Sequence, residues 1–195
     1  MRQAIYNAYQ LLYNAIQDNV EDVNPSRRDK KGRWVYPTLP TSLDTNYPRI
    51  TIKLNSFELK PATAGGIFYV NKNTRSYGHE VSLTFTILLF VNKEMMFPIE
   101  VGGNIIKAKN ELLVEYMVSN IYNTLFKLVV NGYFSKNGFW VLPSSLTYTP
   151  SIWEYDTSRL VSELGITLNT YEEIYDVTAD SNVIETINYL LTPNI

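Results

Sequence analysis

The residues best spaced for chemistry are Asp44, Glu58 and Lys60. An aspartate ahead of a strand, then Glu-x-Lys roughly a dozen residues on, is the layout of nucleases that bind magnesium through two carboxylates and keep a lysine near the attacking water. Against that reading, Glu-x-Lys is common in loops, Pro61 follows at once, and Glu58 falls past the strand end expected at Asn55. A solvated loop is the plainer expectation. His79 is the only histidine, so a His-based metal cluster or a Ser-His-Asp triad would rest on one residue. It is expected as a partly exposed or hydrogen-bonded residue at the foot of a strand. Gly65-Gly66 and Gly102-Gly103 lack the following Gly-Lys-Ser/Thr of a phosphate loop and read as turns.

The remaining charge feature is Arg27, Arg28, Lys30, Lys31 and Arg33, interrupted by Asp29 and followed by Trp34 and Tyr36. A basic loop with aromatics can dock an acidic protein surface or touch nucleic acid. It can equally be a solubilising loop with Trp34 tucked onto the core. Glu172, Glu173 and Asp176, beside Tyr171 and Tyr175, offer an acidic counterpart on an adjacent subunit.

The elements that must position these residues are organised around Gly78 to Val91. Val81, Leu83, Phe85, Ile87, Leu89 and Val91 alternate with Ser82, Thr84 and Thr86, the period of a β-strand. Past Thr86 the second face also turns apolar, through Leu88 and Phe90. That half should therefore be covered on both sides, by a helix, another sheet or another subunit.

Ahead of it, Ile5, Ala8, Tyr9, Leu12, Ala15 and Ile16 give an amphipathic helix over residues 2 to about 18. A long proline-containing connection occupies 24–46, a length that marks a functional or disordered loop. Tyr47-Pro48-Arg49-Ile50-Thr51-Ile52 opens a strand, residues 56–66 read as loop, and Ile67 to Val70 form a short strand that turns into the long one. Asn92 to Gly103 breaks the period. A second helix carries Leu113, Met117, Ile121, Leu125 and Leu128, with Asn104 or Asn110 as its cap and Asn131-Gly132 as its stop. Phe139–Leu142, Leu146–Tyr155 and Arg159–Asn169 read as strands. The 176–195 extension holds Val183, Ile184, Ile187, Leu190 and Leu191 and is either a short helix or an arm on a neighbour.

Segregated rather than alternating elements predict an α+β fold, an antiparallel-rich mixed sheet with two main helices packed on one face and extended loops. The expected organisation is a single domain over 1–195. Hydrophobic residues at 45% and charged residues at 18% are enough for a core, and a formal net charge of −2 carries no whole-molecule signal for nucleic acid. The chain has no cysteine, which excludes disulfides and thiolate chemistry. Its first residues lack a signal-peptide pattern and its longest apolar run is too short for a membrane helix, so a soluble intracellular protein is expected. Fifteen Tyr, 8 Phe and 3 Trp raise the expectation of a buried protein interface.

In element order the sequence resembles the tail terminator (tail completion) proteins of tailed phages and related viruses. The resemblance runs over most of residues 1–170 and includes the Tyr-Pro-Arg-Ile opening at Tyr47. It implies a non-enzymatic virion subunit, without cofactor or metal, assembled in the host cytoplasm. Such a subunit closes into a ring, typically a hexamer, on the tail tube, stops tube growth and joins the tail to the neck of the head. The implied partners are further copies of itself, the tube protein and a neck or head completion protein. Passing contact with DNA in the lumen is possible and no membrane is involved. The interface would fall to Arg27, Arg28, Lys30, Lys31, Arg33, Trp34, Leu88 and Phe90. The alternatives are another neck, connector or tube subunit, or the magnesium nuclease on Asp44, Glu58 and Lys60.

Overall fold

A computed structural model describes residues 2–25, 32–61, 67–70 and 74–178. The 176–195 extension is thus described only to Thr178, and Gly65-Gly66 lies outside the described residues. The chain runs through α1 (Arg2–Asn19), β1 (Val35–Tyr36), β2 (Arg49–Pro61), β3 (Ile67–Val70), β4 (Thr74–Asn92), β5 (Met96–Val101), β6 (Asn104–Lys109), α2 (Asn110–Val130), β7 (Thr147–Asp156) and β8 (Arg159–Thr178). The main sheet has the order β1-β2-β4-β8-β7, with β3 on β4, and β5 and β6 form a separate two-stranded sheet. Among the described strands only β1 and β2 pair in parallel. This is the expected α+β architecture with a mixed, antiparallel-rich sheet.

The long strand β4 lies at the centre, hydrogen-bonded to β2 on one side and β8 on the other. Its alternating residues Val81, Leu83, Phe85, Ile87, Leu89 and Val91 are all buried. They share one cluster with Ala8, Leu12, Ala15 and Ile16 of α1, with Leu113, Val114, Val118, Ile121 and Leu125 of α2, and with Leu160, Leu164, Ile166 and Leu168 of β8. Both helices therefore close the same face, and burial of each large side chain contributes roughly 1.5–3 kcal/mol.

The other face divides in two. Near Asn92 it is closed by the chain itself: Phe90 is fully buried with Tyr47 and Val161, and Tyr155 meets its ring edge-on at 5.0 Å. Toward Ser82 it is a polar ladder. Ser82 bonds Asn169 at 2.6 Å, Thr84 bonds Thr167 at 3.1 Å, and Asn55 donates to Thr86.

Four expectations change. β2 does not end at Asn55 but continues through Glu58 and Lys60 to Pro61, because a bulge between Leu54 and Ser56 shifts the alternation by one residue. The segment expected to break the period after Asn92 holds the β5–β6 hairpin. Gly102 and Gly103 form its turn with φ of 59° and 81°, the two positive angles a two-residue hairpin turn of type I′ requires. Phe139–Leu142 is not a strand, since only Trp140 bridges to Asn169 before a 3-10 turn at Pro143–Ser145. Finally, Asn104 belongs to β6, and α2 starts at Asn110 with no side-chain cap. Its C-terminal stop is as expected, with Gly132 at φ 71°.

Candidate assembly surfaces

Two arginines strap the second half of the long connection to the sheet. Arg49, at the start of β2, donates from Nη2 to the Thr38 carbonyl at 2.7 Å and pairs through Nη1 with Asp44 at 2.9 Å. Its guanidinium lies 4.2 Å from the centre of the Tyr36 ring. Arg159, at the start of β8, donates to the Thr41 carbonyl at 2.9 Å and to the Tyr47 hydroxyl at 2.8 Å, and pairs with Asp156. Both arginines are buried, so each must be hydrogen-bonded as well as paired. Asp44 also accepts from the Thr41 N–H at 2.6 Å. That bond, more than Arg49, holds its carboxyl below the usual carboxylate range. The hydrogen bond from Arg159 does the same for Asp156. The strap leaves Leu43 at the outside of its tip, 88% exposed.

Asp44 is thus a structural anchor. Glu58 and Lys60 lie most of the length of β2 away, paired with each other at 3.3 Å in solvent. The sequence spacing that suggested a metal site does not bring the three together, and no group of three acidic or histidine side chains among the described residues could hold a metal ion. His79 is partly buried within β4 rather than at its foot, opposite Pro61 and Glu172.

Of the expected interface residues, Arg27, Arg28, Lys30 and Lys31 lie outside the described residues, as do the side chains of Glu172, Glu173 and Asp176. Arg33 is exposed and borders a shallow hollow with Tyr9, Gln10, Tyr13 and Tyr36. Trp34 and Phe90 are corrections: both are completely buried and cannot meet a neighbour. Trp34 is drawn in because its carbonyl accepts from Ile50 N–H at 2.9 Å, starting the β1–β2 pairing, while its own N–H donates to Gln17 of α1 at 3.1 Å. Phe90 is covered by Tyr47, Val161 and Tyr155, so no second subunit is needed there. Leu88 is half-buried beside it.

Uncovered apolar residues lie elsewhere. The β5–β6 hairpin buries Ile99 and Ala108 but exposes Met96, Val101, Ile105 and Ile106. On β2, Phe57 and Leu59 point to the helix side of the sheet, being registered on Leu83 and Val81, yet remain exposed. Neither surface is among the interface residues expected from the sequence. The shifted alternation of Phe57 and Leu59 after Leu54 was the available signal for one, and Gly102-Gly103 between short β-branched runs was the signal for the other.

Fold and surfaces define an α+β chain whose uncovered features are strand edges and apolar side chains. No family model and no curated protein matches the sequence. No described helix is long and apolar enough to cross a membrane.

Proposed function

We propose that this chain is a structural subunit that closes into a ring on the end of a viral tail tube, halts growth of the tube and presents a face to the neck of the head. The element order that resembles tail terminators supports the viral setting, and six copies is the number the resemblance implies. The observation that carries the reading is that one chain leaves two different apolar surfaces uncovered, the hairpin and the Phe57–Leu59 stretch. Unlike patches on one subunit build head-to-tail assemblies, which close into rings when the rotation allows.

The polar half of the sheet's second face fits the lumen wall of such a ring. Lys53, Glu58, Lys60 and Glu163 intersperse both signs among Ser82, Thr84, Thr167 and Asn169, so a phosphate backbone would pass without a continuous basic track to hold it. The strapped loop with Leu43 at its tip is then an axial contact, preorganised by Arg49 and Arg159. The test is to add the purified protein to growing tubes of the same virus's tube protein and measure their length by electron microscopy. Tubes that stop growing and carry a capping disc support the reading; unchanged length distributions reject it.

A further inference from the structure

Each of the two uncovered surfaces also carries an open strand edge whose backbone geometry permits pairing. On β2, the Ile50 N–H points away from β4, to Trp34, and Ile50 is registered on Leu89. Backbone direction alternates along a strand. The β2 residues registered on the other odd-numbered positions of β4 therefore also turn N–H and C=O outward. Beyond the bulge these are Phe57, on Leu83, and Leu59, on Val81. β1 covers only Ile50 and Thr51, so among the described residues nothing pairs with Phe57 and Leu59 on that side. Pro61, which lacks an N–H, closes the edge. Phe57 is 46% and Leu59 40% exposed, so backbone groups and apolar side chains are offered by the same residues.

The hairpin has one competent edge. Its turn makes Val101 and Asn104 a hydrogen-bonded pair, and alternation then turns Pro98 and Glu100 outward on β5, and Ile105 and Lys107 outward on β6. Pro98 has no N–H to give, which disables β5. β6 offers Ile105, 78% exposed, beside free backbone groups on a two-stranded ribbon, an arrangement that is marginal in water without further cover.

We propose that β6 of one copy adds to the free β2 edge of the next, joining the two-stranded and six-stranded sheets across the subunit boundary with Ile105 packed against Phe57 and Leu59. The inference rests on the reading of the chain as a head-to-tail assembly subunit. The occupant is a second copy because the two edges cannot meet within one chain. The hairpin leaves β4 after Asn92, where β2 begins, and Ile99 and Ala108 pin it to the core. Leu59 lies opposite Val81, roughly 35 Å down the strand at its ordinary rise. The contact is also asymmetric, so it propagates in one direction, as a ring requires.

The absence of cysteine makes the test clean. Single variants Phe57→Cys or Leu59→Cys are mixed with Ile105→Cys or Lys107→Cys, oxidised and run on non-reducing gels, with Lys136→Cys as an exposed control. Light scattering gives the mass of each mixture first. The expected result is an oligomer in which at least one β2–β6 pairing cross-links to a dimer in a yield approaching roughly half of the chains, the ceiling for random one-to-one mixing around a head-to-tail ring, while each variant alone and each mixture with the control stays largely uncross-linked. An oligomer with no preferred β2–β6 cross-link overturns this pairing and leaves the assembly reading standing. A monomer in every mixture and in the unaltered chain, with tail tube present as well as without it, overturns both. Ile105→Asp provides a second line: it should convert the oligomer to monomer with an unchanged circular dichroism spectrum, and retention of the oligomer counts against the pairing.

Discussion

Arg159 donates to the Tyr47 hydroxyl at 2.8 Å, so a residue that opens β8 holds one at the far end of the long connection before β2. The same guanidinium reaches the Thr41 carbonyl and Asp156, and Arg49 repeats the arrangement at Thr38 and Asp44. The second half of the connection is thereby fixed by hydrogen bonds to charged groups, while its first half is anchored by the buried Trp34 and Val35.

Removing Arg159 should therefore loosen the loop and the Phe90 cluster together. Arg159→Met is expected to destabilise the chain by roughly 1–3 kcal/mol, the range for losing hydrogen bonds to a charged group while leaving their partners under cover. Urea unfolding measures it. Hydrogen exchange should show Tyr47 and its neighbours losing protection while α2 keeps its own. A variant as stable as the parent would show that the strap is ornamental.

Acid should release the same device. Asp44 and Asp156 both have folded pKa values below their ordinary ones, held down chiefly by the Thr41 N–H and by Arg159 respectively. Groups of that kind contribute fully above the unfolded carboxylate value of about 3.9 and lose the contribution as the pH falls below it through the lower folded values. Urea midpoints should accordingly drop between about pH 5 and about pH 2. Asp156→Asn should flatten the slope and lower the midpoint at neutral pH. An equal slope in the variant would assign the acid response to other groups.

Gly165 shows how closely β7 lies on β8. A Cβ there would stand 2.6 Å from Oγ1 of the exposed Thr147, so Gly165→Ala should cost up to about 1 kcal/mol as the Thr147 side chain turns to another rotamer. In a Thr147→Ala background the cost should nearly vanish, and a double-mutant cycle by urea unfolding reads the difference. Two independent costs would contradict the contact.

What was legible in the sequence follows one rule. Where alternation was uninterrupted, as from Val81 to Val91 and from Leu164 to Leu168, strand and buried face could be read directly, and for the longer run the central position as well. A single bulge at Asn55 ended that legibility for β2: the apolar residues passed from Leu54 to Phe57 and Leu59, and a strand looked like a loop. The β5–β6 hairpin was hidden because its strands are short and one face is largely solvated, leaving only the glycine pair as a signal. Trp34 was placed at an interface as the aromatic beside the basic loop, and Phe90 because the second face of its strand turns apolar, yet their burial depends on contacts with Ile50, Tyr47, Val161 and Tyr155 that no local pattern encodes. Asp44 illustrates the converse: its spacing to Glu58 suggested chemistry, and the partner that matters is Arg49.

The central claim is that this chain assembles head to tail into a closed ring. The most direct test is the solution mass of the full chain by light scattering across a concentration series, alone and with tail tube present. The expected result is a discrete species at a fixed multiple of 22.4 kDa, formed either alone or on contact with the tube and unchanged by further protein. A monomer at every concentration, with tube present, would contradict it, and so would a mass that grows without limit.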